Sequence, residues 1–231
     1  MKIYNNYKCG FTLAEILITL GIIGVIAALT IPGLISNHKK KVVITRMKKF
    51  YTTFNQAIKL AEAENGDTEN WEEVSKTNAD SMYNMWNKYM AKHFVSKDVV
   101  KTADGIYVKS TDGSGFMIYQ PGEQPRAGLT SAHVIFCVNT KACDEYLKKN
   151  NNKVYFYNLD GKTTFLFRYS NKLLRTYATN DDDRFNRDLF LDGTNSSLSA
   201  EYGCAKSMKT YCAALIEADG WEIAKDYPVR F

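Results

Sequence analysis

The sequence predicts an α+β protein in which a long N-terminal helix, membrane-embedded over its first half, packs against an antiparallel β-sheet domain. Residues 11–35 are apolar apart from a few small or hydroxyl side chains and carry one ionisable group, Glu15. From Val43 to Ala61 the apolar positions recur three and four residues apart, the spacing of a one-sided helix. Beyond Val99, short runs of β-branched and aromatic residues alternate with Gly, Asn and Asp turns, the pattern of strands and hairpins.

A chain of 231 residues holds one domain, or a membrane helix followed by one domain. The hydrophobic content of 45% is ordinary, but the first 35 residues take a large share of it. The expected divisions are 1–10, a polar leader; 11–35, the membrane half of the helix; 36–64, its amphipathic half; and 65–231, a C-terminal globular domain. The formal charge is +5, with much of the basic excess in residues 38–49 (Lys39, Lys40, Lys41, Arg46, Lys48, Lys49). That run reads as the base of a helix beside anionic headgroups. No nucleic-acid-binding motif accompanies it, and no nucleic acid is expected as a partner.

At 1.5 Å per residue the apolar stretch extends about 37 Å, enough to cross a hydrocarbon core of about 30 Å. A cleaved secretory signal needs a shorter core followed by a small-x-small site. Leu29-Thr30-Ile31-Pro32 does not supply one. A plain signal anchor fits the length but leaves Glu15 unexplained. An ionised carboxylate near the bilayer centre costs about 2.5–3.5 kcal/mol, and such groups face a specific partner. Gly21, Gly24, Ala27 and Ala28 put small side chains along the helix; Gly24-x-x-x-Ala28 is a pattern that lets helices approach closely. Pro32-Gly33 is expected to kink or locally melt the helix.

The stripe Val43, Met47, Phe50, Phe54, Ile58 and Ala61 continues the helix to Asn65-Gly66, a C-terminal stop. The whole helix is then roughly 80 Å long. Met82, Met85, Trp86, Tyr89 and Met90 mark a second helix against the first. Strands are expected at 105–109, 115–119 and 133–138, with a Pro/Gly loop at 121–128. Residues 153–158 and 162–167 flank Asp160-Gly161 and read as the clearest hairpin, with a type I′ turn. Asn171-Lys172 turns into a further strand at 173–179. Residues 211–217 read as a short helix ending near Gly220, and the Trp221–Pro228 tail as an anchor for the C-terminus.

The segment Gly10-Phe11-Thr12-Leu13-Ala14-Glu15 resembles the processing signature of type IV pilins and type II secretion pseudopilins. The apolar run that follows, through Pro32, matches in residue type and spacing, so the resemblance covers about the first 35 residues. It implies a cytoplasmic leader cut after Gly10 by a prepilin peptidase, which then N-methylates Phe11. It implies a single-pass subunit of the inner membrane with an extracytoplasmic C-terminal domain. Such a subunit assembles with other pilin or pseudopilin copies, on an inner-membrane platform driven by a separate ATPase, into a type IV pilus or a secretion pseudopilus. Glu15 would meet the new α-amine of a neighbouring subunit and set axial register, and Pro32 and Gly33 would give the filament flexibility. Charge disagrees with this topology. The leader carries only Lys2 and Lys8, so the positive-inside rule alone keeps the domain in the cytoplasm. The alternative is a single-pass, membrane-anchored binding or sensor protein that never polymerises.

Loss of the leader would remove Cys9 and leave Cys137, Cys143, Cys204 and Cys212, an even number that suits two disulfides in an exported domain, with three connectivities. Cys137 and Cys143 close a short loop. Cys204 and Cys212 would lie roughly 12 Å apart on an unbroken helix, so either a helix starts after about Ser207 or each pairs elsewhere. His38, His93 and His133 are scattered with no catalytic partner at motif spacing, and no phosphate-binding loop is present; the chain is not expected to be an enzyme. No cofactor or metal is expected either. Asp181, Asp183 and Asp188 form an oxygen-rich cluster of the kind Ca²⁺ takes, and some pseudopilins stabilise a C-terminal loop with Ca²⁺. Arg184 and Arg187 interrupt the cluster, and it reads as a solvated acidic turn.

Overall fold

A computed structural model describes residues 10–76, 78–122, 124–178, 186–193 and 199–231. The chain divides into two compact units, Met1–Lys41 and Val42–Phe231, and the first helix, α1 (Leu13–Asn65), contributes to both.

In the first unit α1 is apolar all round and exposed all round; Leu29, for example, is 77% exposed. The hydroxyls of Thr19 and Thr30 donate to carbonyls in the preceding turn, Thr19 to Glu15 and Ile16, Thr30 to Ile26. These two hydroxyls are therefore satisfied within the helix. The helix runs unbroken through Pro32, so the local melting expected at Pro32-Gly33 does not occur. Proline removes one i→i−4 bond, and the turns on either side carry the helix across.

In the second unit α1 buries Val43, Met47, Phe50, Phe54, Ala57, Ile58 and Ala61, the expected stripe with Ala57 added. It stops at Gly66, whose φ of +78° suits a residue without Cβ and whose N–H donates to Glu62 O at 2.9 Å. Its partner is a six-stranded, wholly antiparallel sheet: β2 (Ser96–Lys101), β3 (Gly105–Ser110), β4 (Gly115–Tyr119), β6 (His133–Cys137), β7 (Thr164–Ser170) and β8 (Leu173–Thr176), adjacent in that order. A two-stranded ladder joins β1 (Glu73–Val74) to β5 (Arg126–Ala127) inside the expected Pro/Gly loop.

The register places Phe116, Phe136 and Phe165 side by side on β4, β6 and β7. Phe50 lies over this row, 4.7 Å from the Phe136 ring and 5.1 Å from that of Phe116. The other sheet face is covered too. Tyr107, Met117, Tyr119, Ile135 and Leu166 pack in a second core with Ala142, Cys143 and Tyr146 of α3 (Thr140–Lys149). Burial on both sides explains why β4 and β6 read as continuous apolar runs rather than alternating ones.

The second helix is real but irregular. α2 (Ala79–Met85) passes into one π turn, Trp86–Met90, and one 3₁₀ turn, Ala91–His93. The expected Met and aromatic residues are buried, and Trp86 and Phe54 both reach the Phe116 ring.

The expected hairpin at Asp160-Gly161 is overturned. Residues 153–158 form no strand, and Asp160-Gly161 is no hairpin turn. Asp160 Oδ1 accepts from the N–H groups of Lys162, Thr163 and Thr164 at 2.7–2.9 Å, donors that a ladder would need. The backbone of 153–158 is spent on side chains: Val154 N–H donates to Asp104, and Tyr155 N–H to the Tyr146 hydroxyl. The true hairpin is β7–β8, closed by Asn171 and Lys172 at φ +51° and +62°, the left-handed pair of a type I′ turn.

At the C-terminus α4 (Arg187–Asp192) packs beside α5 (Cys212–Ala218). Cys137 is bonded to Cys143 and Cys204 to Cys212, with Cα separations of 5.6 and 4.6 Å. The second closure is possible because α5 begins only at Cys212. The tail is tied down as expected: Trp221 lies 5.3 Å from the Tyr51 ring, and the Tyr227 hydroxyl donates to Gly161 O at 2.5 Å.

Candidate functional site

Gly10 and Phe11 precede the first helical turn and are exposed, Phe11 by 84%. No described residue lies within 4 Å of the position a Cβ would take on Gly10. Thr12 stands immediately before the helix and Glu15 is its third residue. The Thr12 N–H and Thr12 hydroxyl both donate to Glu15 Oε2 at 2.8 Å, and Glu15 N–H donates back to Thr12 Oγ1 at 3.2 Å. This reciprocal capping box satisfies donors that the helix start leaves open. The acid also sits where the helix dipole favours negative charge.

Thr12 joins the candidate site through this box, and Thr-x-x-Glu before an apolar run is its signal in the sequence. Its geometry leaves Glu15 half used. Oε2 takes two hydrogen bonds and Oε1 takes none from a described residue. Hydrolysis of the Gly10–Phe11 bond would leave the box intact, since the donating N–H belongs to the Phe11–Thr12 peptide.

Further along the first unit, Gly21, Gly24 and Gly33 have open space where side chains would be. Pro32 and Gly33 are exposed. Of the acidic cluster, Asp181 and Asp183 lie outside the described residues. Asp188 is in the first turn of α4, and its neighbour Arg187 bonds Asp219 at 2.6 Å and Asp226 at 2.8 Å. Among the described residues no group of three His, Cys, Asp or Glu side chains is placed to hold a metal ion.

The histidines remain apart. His133 is buried and bonded through Nδ1 to the Tyr119 hydroxyl at 2.8 Å. Burial, helped by the nearby Arg168, pushes its pKa down to about 3, so it is a neutral core group. His93 lies 3.2 Å from Glu64. A cleft of about 340 Å³ is lined by Arg46, Lys49, His93 and Asp112. Its charges are already spent on the fold: Lys49 meets Asp112 at 2.7 Å, and Arg46 donates to Val138 O at 2.5 Å. Burial raises the Asp112 carboxyl, but Lys49 and Ser114 outweigh it and hold it at about 2.

Residues 33–231 match a family of unknown function (DUF6613), and residues 5–31 match the prokaryotic N-terminal methylation motif. No curated protein and no solved structure matches the chain. The second match spans the leader end, the Thr12–Glu15 box and most of the apolar helix, and it is the type IV pilin and pseudopilin signature. The chain belongs to the family of unknown function DUF6613, and it carries at its N-terminus the methylation segment of a pilin-like, prepilin-peptidase-processed subunit.

Proposed function

We propose that the chain is a filament subunit of a type IV pilus or type II secretion pseudopilus. The observation that carries this reading is the methylation motif lying on a helix start where Gly10 and Phe11 are exposed and Glu15 Oε1 takes no hydrogen bond from a described residue. Prepilin peptidase hydrolyses the Gly10–Phe11 bond, leaving a carboxylate on Gly10 and an α-amine on Phe11, which is then methylated. The methylated amine remains a cation. In a stack of subunits the amine of one copy meets Glu15 Oε1 of another, while Thr12 keeps Oε2. Each charge then removes the other's desolvation cost in the low-dielectric interior. The small residues Gly21, Gly24 and Ala28 let neighbouring helices approach, and Pro32-Gly33 supplies a point of bending.

The subunit is held in the inner membrane as a single pass, with the C-terminal domain extracytoplasmic, until an inner-membrane platform extracts it. Two disulfides in the second unit support an oxidising compartment and weigh against the charge count of the flanks. The work is mechanical and adhesive, with no catalysis by this chain.

Glu15→Ala tests the reading. It should leave membrane insertion intact and reduce incorporation into filaments at least tenfold, measured by immunoblotting sheared filaments against the membrane fraction. Glu15→Asp should recover part of it. Normal incorporation of the alanine variant would remove the register role.

A further inference from the structure

We propose that Lys39, Lys40 and Lys41 form a collar that binds the phosphate of anionic lipid headgroups in the leaflet from which the domain emerges. The proposal rests on the membrane reading above and adds a lipid class to it. The three lysines begin four residues after Ile35, the last residue of the apolar stretch. That is about 6–9 Å of helical rise, the depth of the headgroup layer. Three consecutive positions on a helix with 3.6 residues per turn span about 200° of its circumference. At least one ammonium therefore faces headgroups whatever the rotation of the helix.

The basic run divides by partner. Arg46 and Lys49 are engaged within the second unit, by Val138 O and by Asp112. Lys39, Lys40 and Lys41 make no ion pair with any described residue; Lys39 and Lys41 are exposed and Lys40 is half-buried. Ser36, Asn37 and His38, which separate them from the apolar stretch, carry no acid to neutralise them. An acidic protein or a nucleic acid would have to lie against the bilayer surface to reach them. Phosphates of anionic lipids are already there, and each basic residue near such a surface is attracted to it.

The collar also bears on processing. Before cleavage Lys2 and Lys8 sit on the leader side; afterwards only the Phe11 amine remains there. The mature helix is thus held by charge chiefly at its domain end, and extraction into a filament must break those lipid contacts.

The test uses the full chain in vesicles of phosphatidylcholine with phosphatidylglycerol, and reads the association of spin-labelled forms of each lipid with the protein. Wild type should prefer phosphatidylglycerol, by about fivefold for each lysine engaged at low salt. The Lys39→Gln/Lys40→Gln/Lys41→Gln variant should lower the ratio at least about fivefold, to the level set by the remaining flanking lysines, and Lys59→Gln, an exposed lysine in the second unit, should leave it unchanged. Inorganic phosphate should weaken the preference no more than chloride at equal ionic strength. Stronger competition by phosphate would reassign the lysines to a soluble anion and overturn the lipid proposal. Flotation with pure phosphatidylcholine vesicles separates the two readings. A chain that does not float loses both; a chain that floats and shows no preference, or a triple variant that keeps it, loses the collar alone.

Discussion

The two halves of α1 share one backbone conformation and differ in everything their side chains meet. Before Lys41, Leu17, Leu20, Ile23 and Leu29 are all more than half exposed. After Val42, Met47, Phe54, Ile58 and Ala61 are fully or almost fully buried. The second half is striped because it has a domain to pack against. The first half is apolar on every side and exposed, a surface suited to lipid or to other helices. A helix that is apolar all round is buried somewhere, and a bilayer or neighbouring helices would supply that burial.

That contrast can be broken most strongly at Phe50. Its ring bridges α1 to Phe116 on β4, Phe136 on β6 and Phe167 on β7, so Phe50→Ala should cost about 3–5 kcal/mol of domain stability. Leu20→Ala, in the other half, should change domain stability by less than about 0.5 kcal/mol. Urea denaturation of the detergent-solubilised chain, followed by near-UV circular dichroism, reads both. Similar losses at the two positions would mean that the first half also packs on the domain.

The sheet domain should also weaken in acid while the apolar half does not. His133 has its folded pKa held near 3, below the unfolded value of about 6.5. Its neutral form is favoured by folding, so its contribution is complete above about pH 6.5 and is lost as pH falls toward 3. The Asp112 contribution, with its folded pKa at about 2, is present above about pH 3.8 and is lost below it. The urea midpoint should therefore fall progressively from pH 7 to pH 4, and His133→Phe should flatten that slope. A midpoint independent of pH in that range would contradict the neutral, buried assignment.

The smallest effect is expected at the start of α1. Thr12→Ala removes the hydroxyl that both donates to and accepts from Glu15 and should cost about 1 kcal/mol of local helix stability. Faster amide exchange at residues 13–16 would show it, with domain stability unchanged and Thr12→Ser close to wild type.

What could be read from sequence follows the reach of the interactions. The α1 stripe and the type of β3, β4 and β6 were legible because each rests on a periodic or continuous local pattern. Glu15 was legible because one acid stands in an apolar stretch. α3 was not: it buries only Ala142, Cys143 and Tyr146, too few for a periodic signal, and its purpose depends on a sheet face that the sequence does not display. β2 was missed because its edge position lets it carry Lys97, Asp98 and Lys101, charges that blunt an edge and dilute a strand pattern. The false hairpin at Asp160 arose because Asp-Gly serves two masters: a type I′ turn, or an Asp side chain that captures the following N–H groups. Only the tertiary donors and acceptors around 153–158 decide between them. In the candidate site, the role of Thr12 is a local signal too, Thr-x-x-Glu at a helix start, but its hold on Glu15 Oε2 shows only in the side-chain geometry.

The intact mass of the protein purified from cells with an active prepilin peptidase tests the whole reading most directly. A mature chain that begins at N-methyl-Phe11, lacking residues 1–10, is the expected result. A chain that keeps its first ten residues under those conditions would contradict it and leave a tethered domain that does not polymerise.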